Sequence, residues 1–292
     1  MIKVSASRKV FNIFNYLFLA ILAFTTLYPF LYTLSMSLST TKAATQMGFR
    51  FWPSEFSGMA YQMVFKNKDL FIAYGNTLFR TVVGTLSALL VTTMFAYALS
   101  RKEMPNRKLY TMIVLFTMLF NGGKIPTYLV LKEMKLLNNI WVYVLPNLIS
   151  AYNVVVARSF FQSMPDALHE SASIDGAGEF RIFFKIILPL SMPIIMTLAL
   201  WIAVFHWNAW YDGMMYVTDN KLIIVQCLLQ RIVQENNSEL ISQGIINPDA
   251  TQFTPETVKS ATIIVSILPI LAFYPFVQRY FIKGVMLGAV KG

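Results

Sequence analysis

The sequence predicts an all-α polytopic membrane protein with six transmembrane helices, folded as a single transmembrane domain over residues 1–292. The chain is 56% hydrophobic and only 13% charged, whereas soluble domains carry about 25% charged residues. Its apolar residues gather in runs near the roughly 20 residues that a helix needs to cross the hydrocarbon core. These runs are residues 11–36, 77–100, 109–131, 140–161, 182–205 and 260–282.

The first run is too long to be a secretory signal. Lys3, Arg8 and Lys9 precede residues 11–36, as basic residues precede a signal peptide. The apolar part of a signal covers about 7–15 residues and closes with a small-residue cleavage pattern, which this run lacks. We therefore expect an uncleaved first helix.

Helix breakers mark two of the later runs. Gly122, Gly123 and Pro126 interrupt the third run, and Pro189 and Pro193 lie within the fifth. We expect the third helix to break at the glycines. Such a break fits a helix beside a translocation path and a simple packing kink equally well.

Two further helix starts can be placed by local signals. Thr254 is a capping residue, and Pro255 suits the first helical position, so the sixth helix should begin there. Within residues 221–233, apolar side chains recur at helical spacing from Leu222 to Ile232. They predict a short amphipathic helix, with packing against the spans favoured over a binding role.

The basic residues indicate an orientation. They cluster at the N-terminus, at the C-terminus and in residues 101–108 between the second and third runs. Basic connections face the cytoplasm, so both termini and residues 163–181 are predicted to be cytoplasmic. The long loops at residues 37–76 and 207–259 then face outward.

The same distribution argues against a nucleic-acid partner. The net charge is +10, but the lysines and arginines flank apolar runs and form no separate basic patch. Cys227 is the chain's one cysteine, which excludes an intramolecular disulfide, and it is interpreted as a packing residue.

Residues 163–181 look like more than a connector. Residues 166–174 suit a short helix after Pro165, and Asp175–Gly176 is a turn signal that would end it. A connection between two spans needs only a few residues. About twenty structured residues therefore predict a docking surface, with an ordinary amphipathic connector as the alternative.

This segment resembles the EAA loop of ABC importer permeases. That loop reads Glu, Ala, Ala, three residues, Gly, nine residues, Ile, one residue, Leu, Pro, and the chain keeps every spacing with serine at the first alanine. The resemblance implies the type I permease fold, with a cytoplasmic coupling helix between the fourth and fifth spans. The ATPase-coupling residues that it implies are Glu170, Ser171, Ala172, Asp175, Gly176, Ile186, Leu188 and Pro189.

Other stretches are similar to carbohydrate permeases. Residues 276–292, with glycines that suit a compact tail, resemble the tail of the maltose type. Residues 120–139 and 207–217 resemble the type named for lipoproteins and polysaccharide uptake.

Together these resemblances imply a subunit of an ATP-driven oligosaccharide importer in the cytoplasmic membrane of a prokaryote. The implied partners are a second homologous permease, a cytoplasmic ATPase dimer and an extracytoplasmic solute-binding protein. No phosphate-binding loop is present, because Gly123-Lys124 is followed by Ile125 and not by Ser or Thr. The chain is thus expected to bind no cofactor and to be no enzyme, with ATP-Mg on the partner ATPase.

Mixed aromatic and polar residues suggest where a sugar passes, since sugar sites combine flat apolar faces with hydrogen-bonding groups. The candidates are Asn147, Tyr152, Asn153, His206, Trp207, Asn208, Trp210 and Tyr211. Anchoring at the bilayer interface is the alternative for residues 206–212.

Arg80 and Lys124 are the charges placed deepest in the predicted spans. Cations near the mouth of a pathway would favour an acidic oligosaccharide such as a uronate. Snorkelling of their long side chains to the membrane surface is the alternative.

Two other classes of function fit less well. An ion-coupled secondary transporter would want acidic residues in mid-span, but the chain's acids fall in loops or at span ends. A membrane-embedded enzyme would want a cluster of catalytic or metal-binding groups, but His169 and His206 are predicted on opposite sides of the bilayer.

Overall fold

The structure is a computed structural model that describes residues 6–46, 48, 51–234 and 254–289, and the side chains of these residues except 6, 273, 274 and 276–289. Its α-helices are α1 Ala6–Ser37, α2 Thr41–Thr45, α3 Met59–Lys66, α4 Lys68–Ser100, α5 Arg107–Leu119, α6 Lys124–Glu133, α7 Ala151–Gln162, α8 Ala167–Ile174, α9 Glu179–Ile182, α10 Leu188–Leu190, α11 Met192–Asn208, α12 Tyr211–Tyr216, α13 Val225–Gln234 and α14 Pro255–Ala289. Short 3-10 helices cover Ile140–Tyr143, Leu145–Asn147 and Asn220–Leu222, and a π-helical turn covers Phe183–Ile187.

The predicted all-α fold class is confirmed. The described residues contain no β-strand, only an isolated bridge between Ser39 and Phe56. Three helices are long and apolar enough to cross a membrane by themselves, namely Ser7–Ser37, Lys68–Ser100 and Pro255–Ala272. Three bent helix pairs satisfy the same criteria when each pair is taken as one span, so length and composition allow three to six spans.

The first, second and sixth predicted spans correspond to the straight helices. Helix α4 begins at Lys68 and not near residue 77, because its first turns bury Leu70 and Ala73 although polar neighbours dilute their hydropathy. At the start of α14 the predicted cap forms, since the Thr257 N–H donates to Thr254 Oγ1 at 3.2 Å. The predicted compact tail, residues 276–292, lies outside the residues whose side chains the structure describes.

The third predicted span breaks at its two glycines, as the sequence indicated. Helices α5 and α6 meet at 116°, far beyond a packing kink. Gly123 has a φ of +89°, a conformation that side-chain-bearing residues rarely adopt. The Asn121 Oδ1 accepts a hydrogen bond from the Gly123 N–H at 2.8 Å and stabilises the turn.

The fourth predicted run, residues 140–161, is not one continuous α-helix. Its first half consists of the 3-10 helices Ile140–Tyr143 and Leu145–Asn147, and it bends by 48° before α7. Asn139 caps the first of them through its side chain, and Pro146 removes a backbone donor where an α-helix would need one. The fifth span bends by 84° between Glu179–Leu190 and Met192–Asn208, next to its two prolines.

The chain divides into two compact units, residues 1–68 with 229–268 and residues 69–228 with 269–292. In the first unit, the Ser37 and Tyr61 hydroxyls lie 2.8 Å apart and tie the end of α1 to α3. Side chains along α1 are largely exposed, including Phe11 and Phe14, as expected of a helix that meets lipid or another subunit. The expectation of a single domain stays a prediction.

The second unit contains the candidate functional residues, and a hydrophobic core holds them together. Residues from six parts of the chain bury their side chains in this core: Ala96, Tyr97, Leu99, Val114, Val154, Ala157, Phe161, Ala172, Ile182, Phe183, Ile187 and Leu198. Helix α8 is anchored here through Ala172, and α4 through the residues that precede its end.

Candidate functional site

Helix α8 forms the predicted helix and turn in residues 163–181. It covers Ala167–Ile174, and Gly176 follows it with a φ of +77°. The Gly176 N–H donates to Ser173 O and the Ala177 N–H to Ala172 O, both at 3.0 Å. These bonds satisfy carbonyls at the helix end, in the manner of a glycine C-cap.

One face of α8 is anchored and the other is open. Ala172 is buried in the core, whereas Glu170, Ser171 and Asp175 are exposed. Ile174 is 86% exposed, which is a large unpartnered apolar side chain on so short a helix. We call the exposed face of α8 with its Gly176 turn the α8 surface.

A chain of hydrogen bonds connects α8 to α4. The Arg101 guanidinium donates to His169 Nδ1 at 3.0 Å. Because arginine only donates, Nδ1 must accept, so His169 Nε2 carries the proton and donates to Glu179 Oε1 at 2.8 Å. The Tyr97 hydroxyl donates to Glu179 Oε2 at 3.2 Å. We call these four residues the His169 network.

A second polar contact lies at the start of α8. The Lys102 ammonium donates to Asp166 Oδ2 at 2.8 Å, and both side chains are more than half exposed. The Lys102 hydrogen bond holds the pKa of the Asp166 carboxyl below its ordinary value. Exposed pairs contribute little to stability, so Ala172 and the core do most to fix α8.

The remaining residues of the resemblance lie beyond the turn. Ile186 and Leu188 pack against the core at the start of the fifth span, and Pro189 is exposed. They contribute packing beneath α8 rather than its open face. Between α8 and these residues, Phe180 is a second large apolar side chain that is 70% exposed. Sequence reasoning did not single it out as a candidate contact residue.

A polar cavity of about 860 Å³ lies elsewhere in the second unit. Its lining combines amides, aromatic rings and two charged side chains: Asn121, Gly123, Lys124, Thr127, Val142, Pro146, Asn147, Val204, Phe205, Asn208, Ala209, Trp210, Tyr211, Asp212 and Tyr216. This volume falls within the range of about 300–1,000 Å³ for ligand sites. The break between α5 and α6 and the 3-10 helices both open onto this cavity.

Half of the predicted pathway residues line this cavity, namely Asn147, Asn208, Trp210 and Tyr211. The other half lie elsewhere: Tyr152 faces the Trp201 ring, Asn153 lies in the first turn of α7, and His206 and Trp207 are buried. Sequence reasoning missed Asn121, Thr127 and Tyr216. The glycine break beside Asn121 was the available signal, because side chains next to a broken helix face the opening.

Arg80 belongs to a buried polar cluster and does not snorkel. Its side chain is fully buried and forms an ion pair with Asp212, with one further hydrogen bond of 2.9 Å to Ala209 O. Its Nε donates to His206 Nδ1 at 3.5 Å, and the Tyr143 ring lies 5.1 Å from its Cζ. Each of the three guanidinium nitrogens therefore has a hydrogen-bond partner.

Gly84 makes room for this cluster. A Cβ atom at Gly84 would lie 2.6 Å from His206 Nε2, closer than atoms approach in proteins. The absence of a side chain lets α11 approach α4, and His206 is 1% exposed as a result.

The other cation, Lys124, faces the cavity. It begins α6 and is exposed, and its Nζ lies 3.9 Å from the centre of the Tyr211 ring. Lys124 is thus exposed at the cavity, whereas Arg80 is buried and paired, and a place for these cations at a pathway mouth stays a prediction.

Comparison with known proteins decides the family. The model of the family described as "Binding-protein-dependent transport system inner membrane component" matches residues 70–287. The chain belongs to this family. The resemblance to ABC permeases is thereby confirmed, and the matched residues include the α8 surface, the His169 network and the polar cavity.

The permease is similar over nearly its whole length to curated relatives. It is 37% identical over 288 residues, 98% of this chain and 99% of the relative, to the polygalacturonan/rhamnogalacturonan transport system permease protein YtcP of Bacillus subtilis (strain 168). It is 39% identical over 287 residues, 97% of this chain and 96% of the relative, to protein LplC of the same organism.

A solved structure has the same fold as the permease. One chain in the crystal structure of a bacterial ABC transporter involved in the import of the acidic polysaccharide alginate matches with a TM-score of 0.89 and 33% identity, over 96% of this chain and 100% of that chain. A second chain, from a complex with an alginate pentasaccharide-bound periplasmic protein, matches with a TM-score of 0.57 and 16% identity over 93% of this chain and 94% of that chain, and supports the fold alone.

Proposed function

We propose that this permease is one transmembrane subunit of an importer that carries oligosaccharides across the cytoplasmic membrane by alternating access. A separate ATPase drives it through the α8 surface. The observation that carries the proposal is the structure of α8, a helix anchored by Ala172 but open along Glu170, Ser171 and Ile174. Such a helix offers a binding surface to the ATPase, and a movement of the ATPase would be transmitted through the helix to the core beneath it.

The coupling residues act in different ways. Glu170 offers a charge to the ATPase, Ser171 permits close approach, and Ile174 offers an apolar side chain to a cleft. Gly176 sets the turn that directs the chain back towards the fifth span. Glu179, in the first turn of that span, is held by the His169 network, so α8 and this first turn move as one body.

The polar cavity suits a sugar. Trp210 and Tyr211 offer ring faces for stacking, and the amides of Asn147 and Asn208 match sugar hydroxyls. The names of the relatives agree, since they include transport systems for polygalacturonan/rhamnogalacturonan and arabinooligosaccharides. Oligosaccharides are therefore the proposed substrate.

The proposed complex needs other subunits. A second homologous permease completes the pathway, a cytoplasmic ATPase dimer binds ATP-Mg, and an extracytoplasmic solute-binding protein delivers the sugar. The alginate-bound periplasmic protein in a related complex supports the last of these. The basic residues support cytoplasmic placement of both termini and of the α8 surface.

Ion-coupled transport without an ATPase is less well supported. The cavity carboxylate, Asp212, is neutralised by Arg80. A proton or sodium ion would have to displace a buried guanidinium to use it.

The test is reconstitution of the permease with its partner permease, ATPase and binding protein in proteoliposomes, followed by oligosaccharide uptake with and without ATP. Glu170→Lys should weaken co-purification of the ATPase at least tenfold, because it reverses a charge on the docking face. Glu133→Lys, the same change at an exposed position on α6, is the control. Equal co-purification of both variants, or uptake that needs no ATP, would count against the proposal.

Orientation is testable with the same protein. Ile174→Cys places a thiol at an 86% exposed position, while the native Cys227 is buried and gives little background. A membrane-impermeant maleimide should label this thiol in inverted vesicles and not in intact cells. Labelling from outside would place α8 on the wrong side.

A further inference from the structure

The polar cavity has an unbalanced charge. Lys124 and Asp212 are the charged residues among those that line it. Both Asp212 carboxylate oxygens accept hydrogen bonds from the Arg80 guanidinium, and Oδ1 accepts another from the Gly213 N–H at 2.9 Å. The opposite charges of Arg80 and Asp212 cancel, and Arg80 is fully buried behind the lining. The net charge of the cavity lining is therefore the positive charge of the Lys124 ammonium.

Lys124 has no carboxylate partner within 4.0 Å in the part of the chain that the structure describes. Its neighbour is the Tyr211 ring, 3.9 Å from Nζ. A contact between a cation and an aromatic ring at an exposed site is weak. A charge-assisted hydrogen bond between an ammonium and a carboxylate is stronger. The Tyr211 ring therefore positions the Lys124 ammonium and leaves it able to donate hydrogen bonds to a carboxylate.

We propose that Lys124 selects oligosaccharides that carry carboxylates, such as uronates, by pairing with one sugar carboxylate inside the polar cavity. This inference rests on the proposed function and adds a residue that determines specificity. The Tyr211 ring holds the ammonium at the cavity, and the Arg80 pair removes the repulsion that a free Asp212 would exert on an acidic sugar. Asn121 and Asn147 lie in the same lining and are suited to the neighbouring hydroxyls.

The role of the Arg80 pair follows from this arrangement. An unpaired aspartate in the lining would repel a carboxylate and so oppose its attraction to Lys124. The buried guanidinium neutralises the charge of Asp212 and exposes no second positive charge to the cavity. Lys124 is then the single cation that distinguishes acidic from neutral sugars. Asp212 lies in the first turn of α12, directly after Tyr211 and two residues after Trp210, so its pairing with Arg80 also helps to fix those rings.

The experiment compares ATP-dependent uptake of trigalacturonate with uptake of its carboxyl-reduced, neutral analogue by the reconstituted complex. Lys124→Gln should lower the acidic-to-neutral ratio of kcat/KM about tenfold, since a lost charge-assisted hydrogen bond changes affinity by that factor or more. Lys124→Arg should restore most of the ratio. Lys132→Gln, an exposed lysine on the same helix outside the cavity lining, is the matched control and should keep it. The same binding protein is used throughout and affects every ratio equally.

Each outcome has one meaning. A wild-type ratio in Lys124→Gln, or an equal fall in Lys132→Gln, would overturn the role of Lys124. Wild-type complex that takes up the neutral sugar and excludes the acidic one would overturn it as well, while leaving ATP-driven oligosaccharide import intact. Wild-type complex that takes up neither sugar in response to ATP would overturn the proposed function itself. Failure of Lys124→Gln to assemble would be seen as lost co-purification, and Lys124→Arg against Lys132→Arg then tests the same ratio.

Discussion

The turn at Gly176 should be sensitive to a single methyl group. Gly176 has a φ of +77°, and a Cβ atom there would meet nothing within 4 Å in this chain. The cost of Gly176→Ala is therefore conformational and not steric. An L residue in the left-handed region costs about 1–2 kcal/mol, enough to lower the population of the native turn about five- to thirtyfold relative to its alternatives.

Gly178 provides a matched control two residues away. It also has open space around its Cβ position, but its φ of −73° is ordinary for any residue. Gly178→Ala should thus be neutral, or stabilising by about 0.4–1 kcal/mol through the unfolded state. Gly176→Asn should fall between the two, since asparagine tolerates the left-handed region.

The assay is the number of ATP molecules hydrolysed per sugar taken up by the reconstituted complex. Gly176→Ala should raise this number, because the ATPase would pull on a helix whose connection to the fifth span has loosened. A bulkier Gly176→Trp should raise it further, since the space that this chain leaves open is the proposed seat of the partner. If Gly176→Ala and Gly178→Ala hydrolyse equal ATP per sugar, the reasoning from φ to coupling is refuted.

Three further substitutions test the described contacts. Gly84→Ala places a Cβ atom 2.6 Å from His206 Nε2 and should destabilise the protein by about 1–3 kcal/mol, measured as a fall in the thermal unfolding midpoint in detergent; His206→Ala in the same chain should relieve it. Arg80→Ala leaves the part-buried Asp212 carboxylate, 13% exposed, without its partner. The change should cost at most about 3–5 kcal/mol, the range for a fully buried pair, so the yield of folded protein should fall, whereas an unchanged yield would contradict the ion pair. Tyr97→Phe removes one hydrogen bond of the His169 network, worth about 1 kcal/mol, and should lower uptake more than membrane insertion; a proportional loss of both would indicate a purely structural role.

The sequence predicts those features that local signals determine. Helix α8 and its turn follow from Pro165, a short helical pattern and Asp175–Gly176. The break in the third span follows from two consecutive glycines, and the start of α14 from Thr254 and Pro255. In each case a few neighbouring residues dictate the backbone, and no distant contact is needed.

Other features depend on contacts between residues far apart in the chain. Arg80 and Asp212 are 132 residues apart, and neither shows in sequence that the other neutralises it. The burial of His206 depends on the missing side chain at Gly84, three spans away. The fourth span looks continuous in hydropathy, because hydropathy does not distinguish a 3-10 helix from an α-helix. For this reason the sequence alone could not separate the candidate residues that line the cavity from those, such as His206, that are buried.

Helix α4 connects the surroundings of α8 with those of the polar cavity. Tyr97 bonds to Glu179 beside α8, and Arg80 bonds to Asp212 beside the cavity; at about 1.5 Å per residue the two lie about 25 Å apart along one straight helix. The covalent route from α8 to the same cavity runs through a π turn and an 84° bend, so it is not one continuous helix. A displacement of α8 therefore has a more direct route to the polar cavity through the hydrogen-bonded helix α4 than through the chain's own backbone.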